Sequence, residues 1–376
     1  MKIHVVSFQV PYPADYGGAI DVFYKLKAMR EEGFDITLHT FIYGDRSEQP
    51  VLEEICSKVF YYPRETGWRK QFSLLPYIVN SRNYPDLLKN LCADEAPILF
   101  DGVHCCYLLT HPALAKRKKI VRMHNVEHEY YRQLARQAGC SWKALFYLVE
   151  SWRLKRFEKR LNQADLVCAI TKADKQKFDH IAVGTKVIHL PVFFDTTPLD
   201  TLTNDAPSSS VSYVLYQGNL AVEENMCIAN FIVKEIAPRC PGVLFIIAGR
   251  RAKLAEVPVN VKVVSDPSDE ELDRLIVDAH IHLLLTFQPT GIKLKLLNAL
   301  TKGRGHIIAN HDMLYGHSLG RFCVRADKPE EISDNIKYLI NNTIDKEELQ
   351  RRQAYLQKIK KAGISRLSLF QIGISF

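Results

Sequence analysis

No stretch of the sequence approaches the roughly 18 consecutive apolar residues that a membrane-spanning helix requires, which excludes a polytopic membrane protein. There is no C-x-x-C pair either. The nine cysteines are scattered and odd in number, and Cys105 and Cys106 are neighbours, a poor start for a disulfide framework. Met1 to Val6 carries no signal-peptide pattern and leads straight into a strand pattern. Together these absences lead to the expectation of a reducing, cytoplasmic setting. No internal repeat is present, and low complexity is confined to Ser208, Ser209 and Ser210. The basic clusters lack a nucleic-acid module or an interleaved aromatic platform, so no nucleic-acid partner is expected.

What is present is the composition of a globular protein: 47% hydrophobic and 24% charged over 376 residues, enough chain for two domains. The net charge of +8 is clustered at Lys116–Lys119, Arg153–Arg160 and Arg351–Lys361. Such clusters suit phosphate or an anionic membrane, although a solvated helix face is the commoner origin of any one of them.

Short apolar runs rich in β-branched residues alternate with amphipathic segments, the pattern of parallel sheets covered by helices. Strands are expected at Ile3–Phe8, Asp35–Phe41, Ile98–Phe100, Lys119–Met123, Leu166–Ile170 and Lys186–Leu190. After Asp195 they resume at Ser212–Tyr216, Leu244–Ala248, Val261–Val264, Ile281–Leu285, His306–Ala309 and Phe322–Val324. Helices are expected at Ala19–Glu32, Val126–Gln137, Trp142–Asn162 and Asp269–Ala279, the last opened by a capping box of Ser268 and Glu271. Asp195–Ser210 has the composition of a linker. The expected organisation is α/β, with two doubly wound parallel-sheet domains, 1–194 and 195–344. A C-terminal helix in about 345–376 returns to the first. Ligands of such sheets bind outside the carboxyl ends of the strands.

Pro13, Gly17 and Gly18 follow the first strand and precede a helix, so the backbone there can approach an anion; a tight turn would also need these glycines. Taken in order, Pro13-x3-Gly17-Gly18, the segment Val121–Tyr131, Gly218-Asn219-Leu220 with Asn225, Ile247–Arg250, and Thr290–Leu300 with Gly303 resemble the bacterial family 4 retaining glycosyltransferases. That resemblance implies the GT-B architecture, two Rossmann-like domains facing across a cleft. It further implies transfer of a sugar from a nucleotide-sugar donor to a glycan or lipid-linked acceptor, with retention, in bacterial polysaccharide or lipopolysaccharide assembly. No metal or other cofactor is expected.

On the same resemblance the donor meets Gly17, Gly18, Gly218, Asn219, Arg250, Gly291, Lys293, Lys295 and Asn298. Lys293 and Lys295, at the start of a predicted helix Ile292–Lys302, would face the diphosphate, Lys293 as a catalytic residue too; otherwise they are two exposed lysines. The pattern departs from the family at Thr290 and Asn298, where two glutamates are frequent, and at Asn219 in a loop that frequently carries Arg and Lys. These departures leave open a catalytically degenerate protein that serves in binding or assembly, and a sugar-nucleotide epimerase is a third reading.

In the first half, His124 and Glu127 are candidate catalytic residues, with His104, Asn125 and His128 on the acceptor side. His124 and His128 have the i, i+4 spacing of a metal pair, but no third ligand stands out. Leu145, Leu148, Val149, Trp152, Phe157 and Leu161 form an apolar stripe on a basic helix. Such a helix can lie on an anionic bilayer at the inner face of the membrane, but packing of the stripe on its own domain is the default. Beyond Lys361 the sequence departs from the family pattern and receives no expected role.

Overall fold

The computed structural model describes residues 1–195, 211–287, 293–316 and 318–372. The expected linker, from 196, and both Thr290 and Gly291 lie outside the described residues. Among the described residues, one compact unit holds 1–194 and 359–372, and a second holds 195, 211–287 and 293–358.

The first unit has seven strands: β1 (Lys2–Ser7), β2 (Asp35–Ile42), β3 (Lys58–Pro63), β4 (Ile98–Asp101), β5 (Lys119–Met123), β6 (Leu166–Ala169) and β7 (Lys186–His189). Their order is β3-β2-β1-β4-β5-β6-β7, and all neighbours are parallel. Seven helices belong to this part of the chain: α1 (Gly17–Glu31), α2 (Pro50–Ile55), α3 (Tyr77–Asn80), α4 (Pro85–Leu91), α5 (Glu127–Gln137), α6 (Trp142–Phe157) and α7 (Lys172–Ile181). Both faces of a parallel sheet are covered, so β4, β5 and β6 are buried along their whole length. Alternate side chains enter opposite layers. Val6, Phe100, Val121 and Val167 belong to one core, and Val5, Leu99, Ile120 and Cys168 to the other.

The second unit repeats the plan with β8 (Tyr213–Gln217), β9 (Leu244–Gly249), β10 (Val261–Ser265), β11 (Ile281–Leu284), β12 (His306–Ala309) and β13 (Val324–Arg325), all parallel, in the order β10-β9-β8-β11-β12-β13. Its helices are α8 (Glu223–Phe231), α9 (Asp269–Asp278), α10 (Leu294–Thr301), α11 (His311–Leu314) and α12 (Pro329–Leu339). Ser268 caps α9, accepting from Glu271 N at 3.1 Å. In each sheet the strand order reverses next to the first strand, between β1 and β4 and between β8 and β11, and such a reversal opens a crevice at the carboxyl ends.

Several expectations change. The edge strand β3 is an addition to the expected strands; its KVFYYP sequence is mostly half-buried, and its run Val59–Tyr62 is only four residues long. The predicted strand at Phe322 is instead the end of a 3-10 turn, Ser318–Phe322. Helix α10 starts after Lys293, which is its N-cap residue. The α6 stripe divides: Phe157 and Leu161 are buried, whereas Leu145, Leu148, Val149 and Trp152 are exposed. Finally, the tail is helical. α13 (Lys346–Ile372) runs unbroken through it, and Leu367 and Phe370 lie in the first unit's core beside Phe193. Gly363 packs against the Phe193 ring, where a Cβ would stand at 3.4 Å.

Candidate functional site

In the first unit, charged residues gather where β1, β4 and β5 end. Asp21 and Lys25 are one turn apart on the inner face of α1, and Asp101 and Arg122 come from β4 and β5; all four are fully buried. Asp21 accepts from Arg122 through both oxygens, at 2.9 Å from Nη2 and 3.0 Å from Nε, and its Oδ1 also takes Phe193 N at 2.9 Å. Arg122 donates further to the carbonyls of Leu190 and Pro191. Lys25 pairs with Asp101 and lies 3.4 Å from Asp21. Two carboxylates thus neutralise two cations. Burial alone would raise both acids, but Arg122 and Lys25 hold Asp21 low, and Lys25 and His124 hold Asp101 low.

Asp101 in turn sets His124, whose Nε2 stands 2.7 Å from Asp101 Oδ1. An ionised carboxylate only accepts, so Nε2 carries a proton, and in the neutral ring Nδ1 is left as an acceptor. His124 Nδ1, His104 Nδ1 and Asn125 Oδ1 are buried with no hydrogen-bond partner among the described residues. His104 and His124 are also held by Phe8, whose ring lies 5.2 and 5.4 Å from theirs. Burial, reinforced by Arg82, pushes His104 well below the usual histidine range. Buried polar atoms are generally satisfied, so three without partners at the ends of β4 and β5 mark this region as a candidate site.

Glycine makes room for this arrangement. Gly102 has φ +91, and a Cβ there would press on His104 Nδ1 at 3.1 Å. A Cβ on Gly18 would come within 2.5 Å of the Phe8 ring. Gly17 opens α1, and Tyr16 before it provides no side-chain cap.

Glu127 begins α5. Burial raises its carboxyl to about 7; Asn125 Nδ2, at 3.3 Å, opposes this, while the charges of Glu158 and Asp174 reinforce it. His128 is engaged differently: its backbone N–H and Nδ1 both meet Glu158, at 3.1 and 2.5 Å, and Ser151 Oγ donates to its carbonyl. His128 therefore ties α5 to α6 and the turn that follows it.

His124, Asp21 and Asp101 bring potential ligand atoms within 4.8 Å of one another. A cation there would compete with Lys25 and Arg122, which already balance the carboxylates.

The second unit has its own crossing of loops at the ends of β8 and β9. Gly249 has φ +152, and a Cβ on it would fall 1.7 Å from Gly218 O, so no other residue permits this approach. Gly218 N donates to Ala248 O at 3.0 Å and Leu220 N to Arg250 O at 2.9 Å. Arg250 is exposed beside this crossing. Asn219 caps its own loop, with Oδ1 accepting from Ala221 N at 3.1 Å and its carbonyl accepting from Asn225 at 2.8 Å.

From α10, Lys295 reaches the same place. Its Nζ donates to Tyr216 Oη at 2.9 Å and Asn225 Oδ1 at 2.8 Å, and lies 4.4 Å from the centre of the Tyr216 ring. A Cβ on Gly218 would touch the Lys295 ammonium at 3.1 Å. Burial lowers Lys295 to about 7; Glu224 opposes this and Lys293 adds to it. Lys293 is itself buried at the N-cap of α10, and Asn298, one turn further on, is half-buried. Glu224 accepts from Thr286 Oγ1 at 2.6 Å and Phe287 N at 2.8 Å.

Sequence reasoning overlooked Asp21, Lys25, Asp101 and Arg122 as a group. The available signal was Asp21 and Lys25 at i, i+4 on the otherwise apolar face of α1, where charge requires a buried partner.

Solved structures share the fold over nearly the whole chain. The α,α-trehalose-phosphate synthase of Burkholderia vietnamiensis superposes with a TM-score of 0.60 at 12% identity, covering 100% of this chain and 98% of that one. The Burkholderia xenovorans enzyme, in complex with glucose-6-phosphate, gives 0.63 at 10% identity, covering 100% and 99%. The fold is that of the GT-B glycosyltransferases. Anabaena Alr3699/HepE, in complex with UDP and glucose, gives 0.63 at 14% identity, covering 98% and 99%. By sequence, the chain is 24% identical over 383 residues to an uncharacterized 44.6 kDa protein in the cps region of Klebsiella pneumoniae, covering 92% of this chain and 96% of that one. No family model matches the sequence.

Proposed function

We propose that this protein is a cytoplasmic glycosyltransferase that moves a sugar from a nucleotide donor to a glycan or lipid-linked acceptor, with retention, in bacterial polysaccharide assembly. The observation that carries the reading is the loop crossing of the second unit, where Gly218 and Gly249 bring the ends of β8 and β9 together and Lys295 reaches them from the first turn of α10. A diphosphate placed there meets the first N–H groups of α10 and a lysine, and preorganised donors of this kind stabilise the charge that develops on a departing diphosphate. The similarity to structures holding UDP with glucose, and to a protein in a cps region, supports the donor class and the setting.

On this reading the donor contacts Gly218, Asn219, Arg250, Lys293, Lys295 and Asn298 of the second unit, and no metal is needed. The acceptor oxygen forms its bond to the anomeric carbon as the bond to the diphosphate breaks, and the hydroxyl proton passes to the departing phosphate oxygen. His104, His124 and Asn125 supply hydrogen bonds to sugar hydroxyls, and Glu127 orients the acceptor or shares its proton.

One observation favours a second reading, a degenerate transferase that binds without catalysing: Glu224, in the first turn of α8, places a carboxylate near enough to act on Lys295. A thermal-shift series over UDP, GDP, ADP and their sugars tests the first reading, since binding to the native state raises stability by mass action. At least one nucleotide should raise the melting temperature. If none does, with the protein folded, the donor site is wrong. If one binds but no nucleoside diphosphate is released with any glycan acceptor, the second reading stands. Product of inverted configuration would remove retention.

A further inference from the structure

We infer that the outer face of α6 and the adjoining segment 68–74 form a docking surface for an anionic lipid bilayer. The face consists of Trp142, Leu145, Leu148, Val149 and Trp152, which recur every three or four residues, so all five lie on one side of the helix. All are exposed, Trp142 to 88%. The opposite side, with Ala144, Ser151, Leu154 and Phe157, is already packed on the first unit. α6 is therefore apolar on two sides while its own domain covers only one. A helix that is apolar all round is normally buried all round.

A second element extends the patch. Arg153 Nη1 donates to Gln71 O at 3.0 Å, and Glu150 Oε2 accepts from Tyr77 N at 2.7 Å, which fixes segment 68–77 alongside α6. That segment exposes Trp68, Phe72 and Leu74, the last two to 81% and 88%. Large apolar side chains scattered singly over a surface need no explanation, but two adjacent elements exposing eight of them do.

Charge decides the occupant. From residue 142 to 160 the cations are Lys143, Arg153, Lys155, Arg156, Lys159 and Arg160, all solvent-exposed except Arg153, which is partly so. The only two acids in that stretch, Glu150 and Glu158, are fully buried and paired with Arg153 and His128. The surface charge along the helix is thus of one sign. Arg156 lies 4.9 Å from the Trp152 ring centre, placing a cation beside an aromatic. Tryptophan and long basic side chains together suit the boundary between lipid headgroups and acyl chains, where the stems sit in apolar surroundings and the charged ends meet lipid phosphates. A second copy of this chain on the same face would bring like charges together. The proposal does not depend on sugar transfer.

Co-sedimentation of the full chain with vesicles tests it. One set is phosphatidylcholine alone; the other contains 30 mol% phosphatidylglycerol. Binding to the anionic vesicles should exceed binding to the neutral set at least tenfold and should fall as salt is raised. Tryptophan emission should shift to the blue on binding. Leu148→Glu with Trp152→Glu should reduce the partition coefficient at least tenfold. Both positions are exposed, so the far-ultraviolet dichroism should be unchanged. An unaltered partition coefficient in this variant overturns the assignment of the face, as does failure of the wild-type protein to bind either vesicle. Self-association that the same double variant abolishes, without vesicle binding, overturns it in favour of a second copy.

Discussion

The two strand-order reversals of this molecule are built alike and charged differently. At the end of β4 and β5, Asp21, Lys25, Asp101 and Arg122 balance two negative charges against two positive ones, and every member is sealed from solvent. At the end of β8, Lys295 is held by a phenol and an amide, groups that carry no charge. The first cluster is complete without a ligand and fixes the shape around His124. The second holds a base that burial has pushed toward neutrality, with Glu224 opposing the shift. Similar strand-order reversals thus frame a charge-balanced core in one unit and a buried lysine hydrogen-bonded to neutral groups in the other.

The largest way to break this contrast is Asp21→Asn. It leaves Arg122 and Lys25 with one carboxylate between them, and removing one partner of a buried ionic set costs about 3–5 kcal/mol. Denaturant unfolding should show that loss; a change below about 1 kcal/mol would mean that the network is not a closed charge balance.

Much of this architecture was readable beforehand. The strands other than β3 and the two-residue β13 announce themselves by short apolar runs, and the Gly218 and Gly249 loops by their position after strands. What could not be read is pairing across distance: Asp21 and Arg122 are separated by 101 positions, and nothing local to either specifies the other. The tail was a different failure. Leu356, Gly363, Leu367 and Phe370 keep helical spacing, but glycine and serine between them obscure a periodicity that the buried residues preserve. For α6 the pattern was visible, yet no sequence rule says which of two apolar sides a domain will cover.

The next effect is in the second unit. Lys293→Ala should weaken binding of the nucleoside diphosphate that the thermal-shift series identifies by ten- to a hundredfold, from loss of a charge-assisted bond of about 1.5–3 kcal/mol. Lys302→Ala is the control. Lys302 lies just past the far end of α10 and pairs with Asp273 at 2.6 Å, an exposed contact of about 0–1 kcal/mol, so calorimetry should find its affinity unchanged. Equal affinity for wild type and Lys293→Ala would return Lys293 to a purely structural position.

Two smaller effects appear in pH profiles. Lys295 titrates near 7 when folded and near 10.5 when unfolded, so the unfolded chain binds more protons between those values. Stability should therefore rise with pH across that window, and Lys295→Met should flatten the rise. Binding of a diphosphate near pH 8 should draw a proton onto Lys295, seen as a dependence of calorimetric heat on the buffer's ionisation enthalpy; no such dependence would mean that no proton is taken up. Glu127 has the opposite sign: its folded carboxyl, near 7, holds a proton that the unfolded one has released above about 4.5. Stability should fall between those values, and Glu127→Gln should remove that part of the slope.

The long last helix has a consequence for how the chain is made. Its 27 residues, a rod of about 40 Å, deliver Leu367 and Phe370 into a core that otherwise consists of residues synthesised at the start. During translation the N-terminal sheet emerges first but must wait, with part of its hydrophobic interior unfilled, until more than 150 further residues have left the ribosome. The unit that is first in order of synthesis is therefore completed among the last.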